Sequence, residues 1–329
     1  MHRFSPQQAE SHAIARELAT RVAVAVVGIP FILFLAYVGG FAFIALVVVI
    51  GTISLVEFYR ISKYTGARPQ TILGTLSGAL IMLSFAGKRI ENLVVGASIS
   101  AGSAVPFPSP LQMMFFAILG LMLLALMIEL FRKEGLPFVN LGATVLGVFY
   151  VAFFLGTLIG IRELFPAEFP VHRFFPEVVG IAVPESIQDK INQWGGLTVA
   201  SLFVTIWMCD TAAYFVGLGI GRHSLFVKVS PKKTWEGAVG GFVFAMLTAF
   251  VLQKLMIPYL TPVDGIVIGA IVGVFGQVGD LIESRFKREA GVKDTSSLIP
   301  GHGGALDRFD SLIFVSPIVY LYLDFIVFR

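Results

Sequence analysis

The chain has 329 residues, of which 56% are hydrophobic and only 14% charged, with a formal net charge of +3. Soluble domains carry roughly 25% charged residues, so this composition excludes a water-soluble enzyme and implies a polytopic membrane protein. The single cysteine, Cys209, excludes an internal disulfide and a cysteine-based zinc site, and an isolated thiol in an apolar run reads as packing material.

Residues 1–21 form a polar leader without a cleavable signal pattern, expected on the cytoplasmic side as an amphipathic surface helix or a disordered tail. About 20 apolar residues cross a bilayer as a helix. Stretches of that kind fall at 22–38, 41–59, 70–87, 111–131, 140–161, 197–219, 237–257, 264–283 and 311–328, which predicts an all-α fold of about nine transmembrane helices. The first five (22–161) carry few interior charges, with Glu57 and Glu129 near predicted ends, and read as a membrane scaffold. Pro106, Pro108 and Pro110 mark a turn into the fourth span. Residues 162–196, with Pro166, Pro170, Pro176 and Pro184, read as an exposed external loop containing at most a short helix. Residues 197–329 make a four-helix region that holds the chemistry. Gly240, Gly241, Gly269, Gly273, Gly276 and Gly279 lie inside its apolar runs, where small residues let helix backbones approach closely.

Nine spans put the termini on opposite sides. With the N-terminus in the cytoplasm, 17 of the 24 Lys and Arg residues fall on that side, including both basic loops, 220–236 and 284–310. No internal repeat is present, which argues against the inverted-repeat architecture of many transporters.

The charged residues after 205 are the informative ones. Asp210 lies in or at the end of the sixth span, where a carboxylate is costly and is either functional or paired to fix helix packing. The loop after it supplies Arg222, His223, Lys228, Lys232 and Lys233 beside Ser230 and Thr234. Point charges, hydroxyls and glycines of this kind suit an oligophosphate, and also suit a positive-inside anchor on anionic lipid. No GxxxxGK[ST] pattern occurs, so a P-loop is excluded. On a helix Asp280 and Ser284 share a face, with Glu283 close to it, and Asp307 and Asp310 share another. Two acidic pairs on separate helices can converge on a hard cation, while the Gly301–His302–Gly303–Gly304 turn allows backbone to approach phosphate.

Several blocks together are specific: Asp210-Thr211 with Ala213-Tyr214, Ser230-Pro231-Lys232-Lys233-Thr234-Trp235-Glu236-Gly237, Ser284-Arg285-Phe286-Lys287-Arg288, Lys293-Asp294, Ile299-Pro300-Gly301-His302-Gly303-Gly304 and Asp307-Arg308-Phe309-Asp310. Over about 205–315 this pattern resembles that of the phosphatidate cytidylyltransferases, or CDP-diacylglycerol synthases; Ala305 departs from it, where the family expects a larger aliphatic residue. The resemblance implies the reaction CTP + phosphatidate → CDP-diacylglycerol + pyrophosphate at the cytoplasmic face of a bacterial inner membrane. It implies Mg²⁺ on Asp280, Asp307 and Asp310, with Asp210 a further acid and a second cation open. CTP and its phosphates are then expected on Asp210, Ser230, Lys232, Lys233 and Thr234, while Ser284, Lys287, Arg288 and His302 line the site for the lipid phosphate or the α-phosphate. Expected partners are CTP, phosphatidate and membrane lipid, with no nucleic acid and homodimerisation open. A CTP-dependent lipid or polyprenol kinase is the rival enzyme reading, and an ion-coupled transporter the rival from another class.

Overall fold

The computed structural model describes residues 6–100, 106–178, 183–299, 301 and 303–329. The helices in chain order are α1 (Pro6–Val38), α2 (Gly40–Tyr64), α3 (Thr71–Ser84), α4 (Gly87–Ser100), α5 (Pro110–Phe131), α6 (Pro137–Glu168), the short α7 (Val171–Phe174), α8 (Glu185–Ile220), α9 (Trp235–Met256), α10 (Pro262–Glu289) and α11 (Leu306–Val327). Seven of these are long and apolar enough to cross a membrane. The chain is an integral membrane protein. The all-α expectation holds, whereas the count of nine is not fixed. The predicted span 70–87 is the short helix α3, which forms with the following α4 a pair bent by 78°, and the first apolar run is the 17-residue segment Val22–Val38 of a longer helix that also runs through the leader.

The loop expected at 162–196 is shorter than its prolines suggest. Helix α6 continues to Glu168 with Pro166 inside it, and α8 already begins at Glu185. Arg162 and Glu163 are buried, not exposed. The Arg162 guanidinium donates to the Ala36 carbonyl at 3.3 Å, near the C-terminus of α1, while Glu163 pairs with Arg89 at 2.8 Å. Carbonyls at a helix end lack intrahelical partners, so a buried arginine there satisfies groups that lipid could not. At the same end Phe165, Phe169, Trp194, Tyr259 and Phe328 pack ring against ring, with centroids 5.3–6.0 Å apart.

Glycines set how closely the last helices approach. A Cβ at Gly237 would lie 2.7 Å from the Ala213 carbonyl and one at Gly241 2.9 Å from that of Cys209, so α9 crosses α8 nearly backbone to backbone. Gly273 does the same for α10, where a Cβ would sit 2.9 Å from the Phe242 Cα on α9. Such contacts replace the hydrophobic drive that lipid removes. Helix α10 also contains a π-helical turn, Val272–Gly276, directly before the segment carrying Asp280. The inserted residue re-aims the side chains that follow, a device frequent beside functional sites.

The basic loop after α8 is partly a hairpin. Strands β1 (Ser224–Phe226) and β2 (Ser230–Thr234) pair antiparallel, and Thr234 caps α9 by accepting from the Gly237 amide at 3.1 Å. The C-terminal ends of α8 and α10, this hairpin and the N-terminus of α11 lie at one end of the bundle. The aromatic cluster marks the other.

Candidate active site

Helices α10 and α11 bring acids together because of one missing side chain. A Cβ at Gly279 would lie 2.7 Å from the Asp310 carbonyl and 3.1 Å from the Phe314 Cβ. With glycine there, Asp280, Glu283 and Asp310 can each offer an oxygen within 4.8 Å of the others. Gly279→Ala is therefore expected to push these helices apart and lower activity more than stability, which parallel turnover and melting measurements on the purified protein would check.

Three ionised carboxylates this close repel by roughly 3–4 kcal/mol per pair at an effective dielectric of about 20. Two lysines offset part of that. Lys233, from β2, pairs with Asp280, and Lys287 pairs with both Glu283 and Asp307, the latter at 2.7 Å. Ser284 donates to the second Asp280 oxygen at 3.3 Å, and the Ser311 amide donates to Asp310 at 2.6 Å. Glu283 is fully buried, and neither of its oxygens has a partner of hydrogen-bond geometry, although Lys287 lies in ion-pair contact. A buried carboxylate with only one lysine ammonium beside it, converging with two more carboxylates, fits a hard divalent cation.

Asp307 is held differently. Its Oδ2 accepts from the Gly304 amide at 2.8 Å, the Thr295 amide at 2.9 Å and the Thr295 hydroxyl at 2.8 Å, which leaves Oδ1, the oxygen facing Lys287, as the one open to exchange. The glycine turn thus brings backbone close to protein carboxylates. A Cβ at Gly303, whose φ is +82°, would fall 2.8 Å from Asp307 Oδ2, and one at Gly304 would fall 2.5 Å from Glu57 Oε2.

Asp280, Asp307 and Asp310, with Lys233 and Lys287, floor a cavity of about 1210 Å³. Asp210, Lys232, Lys233, Asp280, Arg308 and Asp310 line its polar end, and apolar residues of α1, α2 and α8, such as Val24, Ile32, Leu46 and Phe203, line its walls. Asp210 is exposed into this space from within α8, ten residues before the helix ends at Ile220, or about 15 Å of helix rise.

A model of the cytidylyltransferase family matches residues 19–326. The phosphatidate cytidylyltransferase of Bacillus subtilis is 30% identical over 310 residues, covering 93% of this chain and 98% of that protein. The one from Synechocystis is 30% identical over 314 residues, covering 92% and 95%, and the one from Haemophilus influenzae is 42% identical over 130 residues, covering 38% and 45%. The chain belongs to the cytidylyltransferase family.

Of the site residues expected for this family, Asp210, Lys232, Lys233, Thr234, Asp280, Lys287, Asp307 and Asp310 line the one cavity. Ser230, Ser284 and Arg288 are not among its lining residues. Arg288 donates to the Val229 carbonyl at 3.2 Å, tying α10 to the hairpin that carries Lys233. His302 lies outside the described residues. The acidic trio contains Glu283, which was not among the expected metal ligands, and does not contain Asp307. Arg308 and Gln277 also line the cavity unexpectedly, and Glu57, read as scaffold, contacts the glycine turn. For Glu283 the signal was its spacing, three residues from Asp280 and four from Lys287.

Proposed function

We propose that this cytidylyltransferase moves the cytidylyl group of CTP onto the phosphate of phosphatidate, releasing pyrophosphate and forming CDP-diacylglycerol. One observation carries the reading: a single cavity joins apolar walls to a floor of paired acids and cations. A diacyl phosphate needs both, its chains against hydrocarbon and its phosphate against charge.

A phosphomonoester has a second pKa near 6, so the lipid phosphate is largely dianionic at neutral pH and attacks without a strong general base. Its oxygen forms the new bond to the α-phosphorus as the bond to the bridging oxygen of the β-phosphate breaks, and the electron pair leaves with pyrophosphate. The difficulty is bringing two anions together. Lys232, Lys233 and Arg308 face the cavity and supply positive charge where the phosphates meet, while Asp280 keeps Lys233 fixed. Asp280, Glu283 and Asp310 would hold Mg²⁺, with Asp307 joining through Oδ1. A bound Mg²⁺ neutralises phosphate charge and orients the leaving group. Chelation by EDTA should abolish turnover, and Mg²⁺ or Mn²⁺ should restore it; full turnover in excess chelator would contradict the acidic site's role.

The test of the function is direct. Purified protein in detergent, given CTP, phosphatidate and Mg²⁺, should form a lipid whose mass is that of CDP-diacylglycerol, with formation dependent on both substrates. A phosphorylated lipid alcohol formed from CTP instead would establish the kinase reading.

The active site is proposed to face the cytoplasm of a bacterial plasma membrane, where CTP is found. Lys190 lies near the N-terminal end of α8 and Lys232 beyond its C-terminal end, and the helix is about 54 Å long at 1.5 Å per residue. In a Cys209→Ala background, cysteine at position 190 should react with an impermeant thiol reagent added outside, and cysteine at position 232 should not. The opposite pattern would invert the orientation.

A further inference from the structure

Glu57 lies on α2, in the half of the chain read as scaffold, and its side chain is buried with no ion pair to it among the described residues. Burying a carboxylate without a cation is costly unless donors surround it. Four do, and all come from residues 295–306. Oε1 accepts from the Ser296 hydroxyl at 2.6 Å and the Ala305 amide at 3.1 Å; Oε2 accepts from the Thr295 hydroxyl at 3.1 Å and the Leu306 amide at 2.8 Å. The Ala305 and Leu306 amides open α11, where N–H groups have no intrahelical acceptor and the helix dipole favours negative charge. Glu57 therefore caps α11 from another helix, 248 residues away in sequence.

The contact continues into the site. The Thr295 hydroxyl lies within reach of both Glu57 Oε2 and Asp307 Oδ2, so its one proton serves two carboxylates. Gly304 packs against this pair where no larger residue fits. Asp307 lies on the first turn of the helix that Glu57 caps, and Asp310 follows three residues later.

We propose that Glu57 is a positioning residue for the cytidylyl transfer: it fixes the start of α11 and, through Thr295, the orientation of Asp307, so that Asp310 meets Asp280 and Glu283. The kinetic part of this proposal rests on the function proposed above. The structural part does not.

The experiment uses the full chain in detergent. Glu57→Gln preserves size but turns one acceptor into an NH₂ group facing N–H and O–H donors. Amide hydrogen exchange across 293–308 should accelerate by roughly tenfold or more, while α2 and α9 keep wild-type protection. Turnover should fall roughly ten- to hundredfold, the scale of losing hydrogen bonds to a buried charge. The Mg²⁺ concentration for half-activation should rise, and the KM for phosphatidate should stay within about twofold because the apolar walls are untouched. Thr295→Val should act in the same direction with a smaller effect, and the double variant should be little worse than Glu57→Gln alone, since both act through one contact.

Glu129→Gln is the comparison for mere structural damage. Glu129 is also buried, bonded to Gln70, Asn140 and Arg132 within the scaffold, and should lower the melting temperature without moving either exchange in 293–308 or the Mg²⁺ midpoint. Wild-type exchange in 293–308 of Glu57→Gln, or acceleration spread evenly over all helices, would overturn the proposal. If Glu57→Gln does not fold, Thr295→Val decides with the same two readouts, and wild-type values in both overturn it. Were the wild-type protein to make no CDP-diacylglycerol, the function would fail while the exchange result still decided the contact.

Discussion

Asp310→Asn should lower turnover by about 10²–10³-fold, the scale of removing one preorganised charge-stabilising group, while leaving the protein folded. The side chain keeps its size, and the oxygen that accepts from the Ser311 amide can be retained, so α11 has no reason to move. What disappears is one charge from three that converge within 4.8 Å. Removing it relieves repulsion, so the melting temperature in detergent without divalent cation should hold or rise even as activity falls. That pairing separates a functional acid from a structural one. A variant with turnover within about threefold of wild type would remove Asp310 from the site, and one that loses activity only because it melts would assign it to packing.

Lys233→Met should lower kcat/KM for CTP by about ten- to hundredfold, the range expected for a lost charge-assisted contact, with a smaller effect on saturation by phosphatidate. Lys233 serves two groups at once. It neutralises Asp280 and lines the cavity where a triphosphate would enter. Its side chain is about one-third exposed, so solvent screens the pair and the stability cost should be small. Methionine keeps an unbranched stem of similar reach, which confines the change to charge. Lys232 is exposed and in no ion pair among the described residues, so Lys232→Met should act mainly through the KM for CTP. Initial rates measured by varying each substrate separately would check both. If the two variants weaken CTP and phosphatidate equally, the cations form one shared phosphate site, and the assignment of the hairpin to CTP is wrong.

Much of this arrangement was legible in the sequence because hydrocarbon leaves a strong signal. The long apolar runs mark most helices, and the glycines at 237, 241 and 273 sit where the backbones of α8, α9 and α10 cross. The bend between α3 and α4 was not legible, since residues 83–88 carry no proline to mark it. The hairpin at Ser224–Thr234 was read as loop, as three- and five-residue strands are too short to show alternation. The turn at Gly301–Gly304 was expected to face phosphate, yet Gly304 is spent on Asp307 and Glu57. Glu57 itself was missed because its partners lie more than 230 residues downstream and no local pattern joins them. The rule that singled out Asp210, that an acid in an apolar span needs a reason, applied equally to Glu57.

The fate of each phosphate of CTP tests the central claim most directly. CTP labelled at the α-phosphorus should place its label in the lipid product, and CTP labelled at the γ-phosphorus should release its label as pyrophosphate, one per lipid formed. Label from the γ-phosphorus appearing in lipid, with CDP left in solution, would show phosphoryl rather than cytidylyl transfer and would contradict the account.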